Sequence, residues 1–427
     1  MKLQIKSLFV FGVLLLTFYR SAEAQETLRR EGRYYVGEIT KSFKVKKGGL
    51  LRIASIQGDV QVTAWDKDEV LVHEIRKMDV FTEGEAKEAM RQAEISYRQV
   101  GNTIEIGGET FHREWIKSFF DVKLPTDFNL DIDTRGGDLT VIDLGGSAEL
   151  KTSGGDISLT NISGEVQAKT SGGDIEVKGA KKRLDLKTSG GDLELSDLEG
   201  PVYAKTSGGD IELICSKDLA DLSTSGGSIR LSQVGGQVKA HTSGGDILVD
   251  GTTGPIEVHT SGGDIELRNI KGKAEAQTSG GDIDVRRVEG GIDAATSGGD
   301  IDLKGINGYI EAATSGGDIE AEMTLTDFSK DHHVNMRSSG GDLTLYLPAK
   351  LPATIEAVIQ ISDRGWEDYN IYSDFPLTYS ENGGKEKDRE RRSRWGRLIR
   401  SHGDINGGGD LIHLETTNGN IRIKKLP

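Results

Sequence analysis

The chain has 427 residues and a formal net charge of −15, with 68 Asp and Glu against 53 Lys and Arg. That acidic balance excludes a nucleic-acid binder, which needs a basic face for phosphate. A single cysteine, Cys215, excludes an intramolecular disulfide, and 57 glycines argue against the two or three ordinary domains that the length alone would suggest.

Residues 1–24 read as a secretory signal. Lys2 and Lys6 give a basic start, "SLFVFGVLLLTF" is an apolar stretch, and Ala22, Glu23 and Ala24 form a small-x-small cleavage site. The mature chain is expected to begin at Gln25 and to be exported, to the periplasm, the cell surface or the medium. No later apolar run is long enough for a spanning helix, and no cysteine follows the signal to take a lipid.

Residues 25–130 are expected to form a β-rich capping region with one helix near 83–96. Thr82 and Glu85 have capping-box spacing, and Ala86, Ala89, Met90 and Ala93 fall on one side of that helix.

From about 131 to 347 the chain repeats. TSGGD, with Ser228 replacing Asp once, begins at Thr152, Thr170, Thr188, Thr206, Thr224, Thr242, Thr260, Thr278, Thr296 and Thr314, a constant 18-residue period. Five positions after each Thr stands Ile or Leu (Ile157, Ile175, Leu193), and seven after it Leu or Val, except for Ala321. Two further apolar columns follow later in the period, as at Val166 and Ala168. Each period therefore holds two short alternating strands joined by two turns. Stacked in parallel at ~4.8 Å, such coils satisfy each other's backbone groups and build a rod on the order of 50 Å long. The expected fold class is all-β: a parallel β-solenoid, a single-stranded β-helix with 18-residue coils, capped by β-rich ends and one N-terminal helix.

TSGGD reads first as corner chemistry. The glycine pair is expected to supply positive φ, the Thr and Ser hydroxyls to bond along their columns, and Asp to accept turn amides as in an Asx-turn. Cys215, within "IELICSKDL", is expected to be a passive packed thiol. The ligand reading rests on the aspartate column, whose neighbours repel by roughly 0.9 kcal/mol even in water. The residue before each Thr runs Lys151, Lys169, Lys187, Lys205, Ser223, His241, His259, Gln277, Ala295, Ala313. Lysines thus flank the early corners and leave Asp264, Asp282, Asp300 and Asp318 without a basic neighbour. These four and the pair His241 and His259 are the weak candidates for metal. Outward Glu176, Glu194, Glu212, Glu266, Asp284, Asp302 and Glu320 add a second acidic stripe. The pattern differs from the calcium-binding nonapeptide G-G-x-G-x-D-x-U-x, since one half-coil lacks Gly-Gly and Asp stands immediately before the core Ile. The expectation is no cofactor, with calcium as the minor alternative.

Catalytic chemistry finds little support. Repetition favours a surface over a pocket, the Ser of TSGG has no fixed His partner, and Asp331, His332 and His333 resemble a phosphoesterase signature without its companion motifs. At 348–427 a β-rich region follows, with a charged segment at 381–400 expected as a solvated loop or short helix.

"LLRIASIQGDVQVTAWDKDEVLV" (50–72), "DVKLPTDFNLDIDTRGGDLTV" (121–141) and "INGGGDLIHLETTNGNIRIKK" (405–425) resemble the bacterial β-strand-repeat family of unknown function whose members are labelled as adhesins. The resemblance covers most of the mature chain. It implies a parallel β-solenoid at the cell envelope and brings no catalytic residues. The expected function is a non-enzymatic, secreted or periplasmic β-solenoid presenting an acidic, hydroxyl-rich surface to a cell-surface or envelope component, for adhesion or as a scaffold, with a monomer favoured. A self-assembling bactofilin-like rod and a glycan-acting solenoid enzyme are the alternatives.

Overall fold

A computed structural model of the chain describes residues 25–92, 95–108, 115–362, 368–382 and 397–426. The expected signal segment lies outside them. The expected coil is present. Ile157–Ile162 runs in one sheet and Val166–Lys169 in the other, and the next coil repeats both at Ile175–Ala180 and Leu184–Lys187. Pairing is parallel, with Leu139 opposite Ile157, Ile157 opposite Ile175 and so on to Ile283 opposite Ile301. Each sheet has 19 described strands. Both are open ladders: in the second, no described pairing joins the first strand, Ser96–Val100, to the last, Thr378–Asn382.

Between the sheets runs one continuous core. The four expected columns face inward, with Ile157, Leu159, Val166 and Ala168 all buried. A fifth inward column breaks the alternation: Ile162, Ala180, Leu198, Val234, Ile270, Val288 and Ile306. Its cause is the residue before each of them, which takes a left-handed conformation: Asn161 has φ 57, Gly179 φ 76, Asp197 φ 57 and Asn269 φ 56. One such residue flips the strand's phase, so the side chain after it points inward. Asn, Asp and Gly suit this conformation best.

Cys215 occupies the same left-handed position, with φ 59. It is half-buried rather than packed in the core, and its Sγ lies 3.1 Å from Gln233 Oε1.

The stack does not stop at 131 and 347. Leu50–Ile56 pairs with Thr103–Gly107 on one side and Asn129–Thr134 on the other, so the first coil in the chain is second in space. The other end repeats the device: Asp410–Thr417 lies between Val334–Ser338 and Ala353–Gln360. Antiparallel strands then finish three of the four ladder ends, the fourth ending on the short parallel strand Ile371–Ser373. Glu69–Met78, Tyr34–Lys44 and Gln25–Glu31 close one sheet at the N-terminal end, and Leu398–Ile405 and Thr378–Asn382 close the other at the C-terminal end. The change of direction blunts the parallel edge, which would otherwise template aggregation. The two strands at 378–382 and 398–405 correct the expected loop or helix at 381–400 at its ends; its interior lies outside the described residues.

The expected helix forms over Glu83–Gln92, shorter than 83–96, and Ala93 is not among the described residues. Its capping box is complete: Thr82 Oγ1 accepts from the Glu85 N–H at 3.2 Å, and Glu85 Oε2 accepts from the Thr82 N–H at 3.1 Å. Ala86, Ala89 and Met90 bury against Tyr35 and Met78. Beside them lies a buried ion pair, Glu74 with Arg76. Tyr97 donates to Glu74, and Arg76 donates to the Met90 carbonyl at 3.0 Å. The pair ties helix and both sheets together, and burial, then the Glu74 charge, push the Tyr97 phenol up.

Candidate functional site

The TSGGD corners are structural in every coil. Each Thr is buried, and from Thr170 to Thr314 its hydroxyl does two things: Thr224 Oγ1 donates to the Gly209 carbonyl of the preceding coil at 2.8 Å and accepts from the Gly227 N–H of its own corner at 3.3 Å. Where the repeat changes to SSGGD, Ser338 makes the same two bonds at 2.9 and 2.8 Å.

The aspartates are bonded between coils rather than within an Asx-turn. Asp156 Oδ1 accepts from the Asp174 N–H, Asp264 Oδ1 from the Asp282 N–H, and Asp282 Oδ1 from the Asp300 N–H, at 2.8–2.9 Å. The relay starts at Asp59, passes through Ser228 Oγ and ends where Asp342 accepts from the Asn420 N–H at 2.7 Å. One oxygen of each carboxylate is therefore committed to a main-chain amide, which offsets the repulsion along the column. At the last rung burial pushes Asp342 up, but the Asn420 amide and the Arg422 guanidinium outweigh it and hold the carboxyl below its ordinary range.

The glycines serve sterics. None of the TSGGD glycines from 154 to 317 has positive φ. That corrects the expected reason for the pair: the positive φ sits instead at the left-handed residue inside each six-residue strand, as at Asn161. The second glycine is needed because coils touch there. A Cβ on Gly245 would lie 2.1 Å from the Gly227 carbonyl oxygen, whereas one on Gly244 would meet nothing nearer than 3.5 Å.

Neither charge column is as bare as its sequence suggests. Lys151 pairs with Glu149, and Lys187 with Asp185 at 2.8 Å, both within their own strands and away from the corner aspartates. In the later coils Arg268 pairs with Glu266, Arg286 with Asp284 at 2.8 Å, and Lys304 with Asp302, so the outward acidic stripe is locally neutralised. Asp264, Asp282, Asp300 and Asp318 remain exposed and form one column. His241 and His259 stack face to face, with centroids 5.1 Å apart and planes 4° from parallel. Among the described residues no group of three or more His, Cys, Asp and Glu side chains is placed to hold a metal ion, at this pair or elsewhere.

The DHH motif holds together the longer coil that separates Thr314 from Ser338. His332 is buried, with Nδ1 2.7 Å from the Lys330 carbonyl and Nε2 2.9 Å from the Pro352 carbonyl, and its N–H donates to Asp410 Oδ2 at 3.0 Å. The longer coil is thereby tied to the inserted strand Asp410–Thr417 and to the residue that leads into Ala353–Gln360 beyond it. His333 lies between Asp331 at 2.7 Å and Glu311 at 3.2 Å and stacks on Tyr309 at 5.0 Å. Sequence reasoning missed these roles, because the partners on other coils, Pro352, Glu311 and Asp410, are 20 to 78 residues away.

Burial lowers the His333 pKa, but Asp331 and Glu311 outweigh it and raise the imidazolium above its ordinary value. This contribution is complete below about pH 6.5, the unfolded value, and is lost as pH rises through the higher folded value. Glu311→Gln is expected to lower the unfolding free energy at pH 6 by about 1 kcal/mol or less, the group being partly exposed, and to have no effect at pH 9. Urea titrations at the two pH values check this; equal losses at both would refute it.

No described helix is long and apolar enough to cross a membrane. No curated protein matches the chain. Two crystal structures are similar to it. One, a candidate adhesin from Bacteroides fragilis, is 18% identical and matches over 52% of this chain and 96% of its own, with a TM-score of 0.35. The other, a candidate cell-adhesion protein from Clostridium sporogenes, is 8% identical over 95% of this chain and 100% of its own, with a TM-score of 0.14. The Toastrack DUF4097 family model matches residues 50–249 and 201–356, which is most of the solenoid and well over half of the sequence, and the chain belongs to that family.

Proposed function

We propose that this chain is an exported, non-enzymatic β-solenoid that offers its repeat faces to a cell-surface or envelope component, as an adhesion surface or rigid scaffold. The observation that carries the reading is the unbroken 18-residue register from Leu139 to Ile301, in which successive coils present the same backbone frame without an inserted loop to wall a cleft. A catalytic site needs unlike groups converging once. Here a corner carboxylate recurs coil after coil with one oxygen held by an amide. The residues of the N-terminal segment support export, and the antiparallel caps at both ends support a monomer over an end-to-end filament.

An extended face loses affinity by degrees as coils are removed, whereas a single cleft is lost at once. Attachment of purified mature protein to immobilised envelope material is expected to weaken stepwise across variants lacking one, two and three whole coils. An all-or-none loss in folded variants would favour the enzyme. The reading takes no cofactor: a chelator is expected to leave the β-type circular dichroism unchanged, and a signal abolished by chelation and restored by calcium would overturn that part.

A further inference from the structure

At the C-terminal end of the rod a cleft of about 410 Å³ opens where the two sheets finish. Tyr372, on the last strand of one sheet, and Tyr379, on the last strand of the other, line it, 53% and 56% exposed. Arg422 stands opposite Tyr372 in the ladder, Lys424 lies further along the same strand, and Asp374 completes the polar lining. We propose that this cleft binds an acidic saccharide.

Three observations lead there. First, the two tyrosine rings are exposed where most large apolar groups of this molecule are buried, and the Tyr379 ring is held in place because its hydroxyl donates to the Ile371 carbonyl at 3.1 Å. A fixed exposed ring matches the C–H face of a pyranose and loses little entropy on binding. Second, two cations, Arg422 and Lys424, line the cleft of a chain that is acidic overall. A guanidinium has five N–H donors; Arg422 gives one, from Nη1, to Asp342 at 2.7 Å, and the half-buried Lys424 sits over the Tyr346 ring at 5.2 Å and donates to its hydroxyl at 3.5 Å, one of the three N–H donors of an ammonium. A uronate carboxylate complements them, and the Asp374 carboxylate, one oxygen of which accepts from the Lys425 N–H at 3.0 Å, can take sugar hydroxyls with the other. Third, the Tyr379 hydroxyl occupies a main-chain acceptor that an added peptide strand would need, which disfavours an extended peptide.

The inference rests on the non-enzymatic reading above but concerns a different part of the molecule, and each can fail alone. Calorimetry of the full mature chain with oligogalacturonate, oligomannuronate, a neutral maltose oligomer and hexaglutamate decides it. Saturable binding of at least one acidic oligosaccharide is expected, about 10-fold or more tighter than the neutral oligomer, with Tyr372→Ala and Lys424→Gln each weakening it about 10-fold at unchanged circular dichroism. Tyr372 is exposed and Lys424 half-buried on the outer face of its strand, so folding is expected to survive. A variant lacking residues 188–205 keeps the cleft and should bind the saccharide with the same Kd even if its attachment through the repeat faces falls. Absence of saturable binding to both acidic oligomers, equal binding by Tyr372→Ala, or hexaglutamate binding as tight as the saccharide would each overturn the proposal.

Discussion

Deleting residues 188–205 is expected to yield a folded rod one coil shorter, while deleting only 188–196 is expected to abolish the cooperative unfolding transition. The whole-coil deletion removes Leu193–Leu198 and Val202–Lys205, one strand from each sheet. It then joins Lys187 to Thr206, and every ladder closes over the gap. Ile175 meets Ile211 and Leu184 meets Ala220, side chains of the same inward columns. The Thr206 hydroxyl finds the Gly173 carbonyl in place of Gly191, and the Asp210 N–H finds Asp174 in place of Asp192, each a substitution of one coil for its copy. Nearest-neighbour stacking makes stability a sum over interfaces, so losing one of many equivalent interfaces costs little cooperativity. The half-coil deletion instead runs Leu184–Lys187 straight into the second turn, leaves one sheet a strand short, and puts the buried Thr corner where the other turn belongs. Circular dichroism, urea unfolding and small-angle scattering decide it, with the intact variant shortened by ~4.8 Å. An unfolded whole-coil variant would refute the coil as the folding unit.

Gly245→Ala is expected to destabilise the rod by about 3 kcal/mol, and Gly244→Ala by no more than about 0.5 kcal/mol, although the two glycines are neighbours in the same motif. The added methyl at 245 would sit 2.1 Å from a backbone oxygen, and neither coil can yield without stretching the ladder on both sides. At 244 the nearest atom is 3.5 Å away, an ordinary contact. Since both positions have ordinary φ, the backbone-entropy benefit of Gly→Ala is available to each and is outweighed only at 245. Urea midpoints of the two variants, with Gly280→Ala and Gly281→Ala as a second pair, check the ranking. Equal losses within each pair would mean that the contact between coils does not set the requirement.

By itself the sequence determined the coil. A column of Ile and Leu at one fixed offset from every Thr has no other geometric reading than an inward row, and Thr82 with Glu85 specified the start of the helix before any packing was known. The corner role of TSGGD was legible too, because a motif repeated at one period must serve something that repeats. Three features needed the tertiary structure. The fifth inward column, at Ile162 and its copies, hides behind a left-handed residue that strict alternation places on the wrong phase; Asn161 and Gly179 hint at it, but Cys215 and Arg287 in the same position do not. The reason for the second glycine lies one full period away, in a carbonyl of the neighbouring coil. The order of coils at the two ends was not legible at all, since Leu50–Ile56 and Asp410–Thr417 carry patterns that would pair equally well with any coil. Periodicity states that a segment stacks. On which copy it stacks is decided by what covers the open edges: the antiparallel strands and helix at one end, and the strands clamped by His332 at the other.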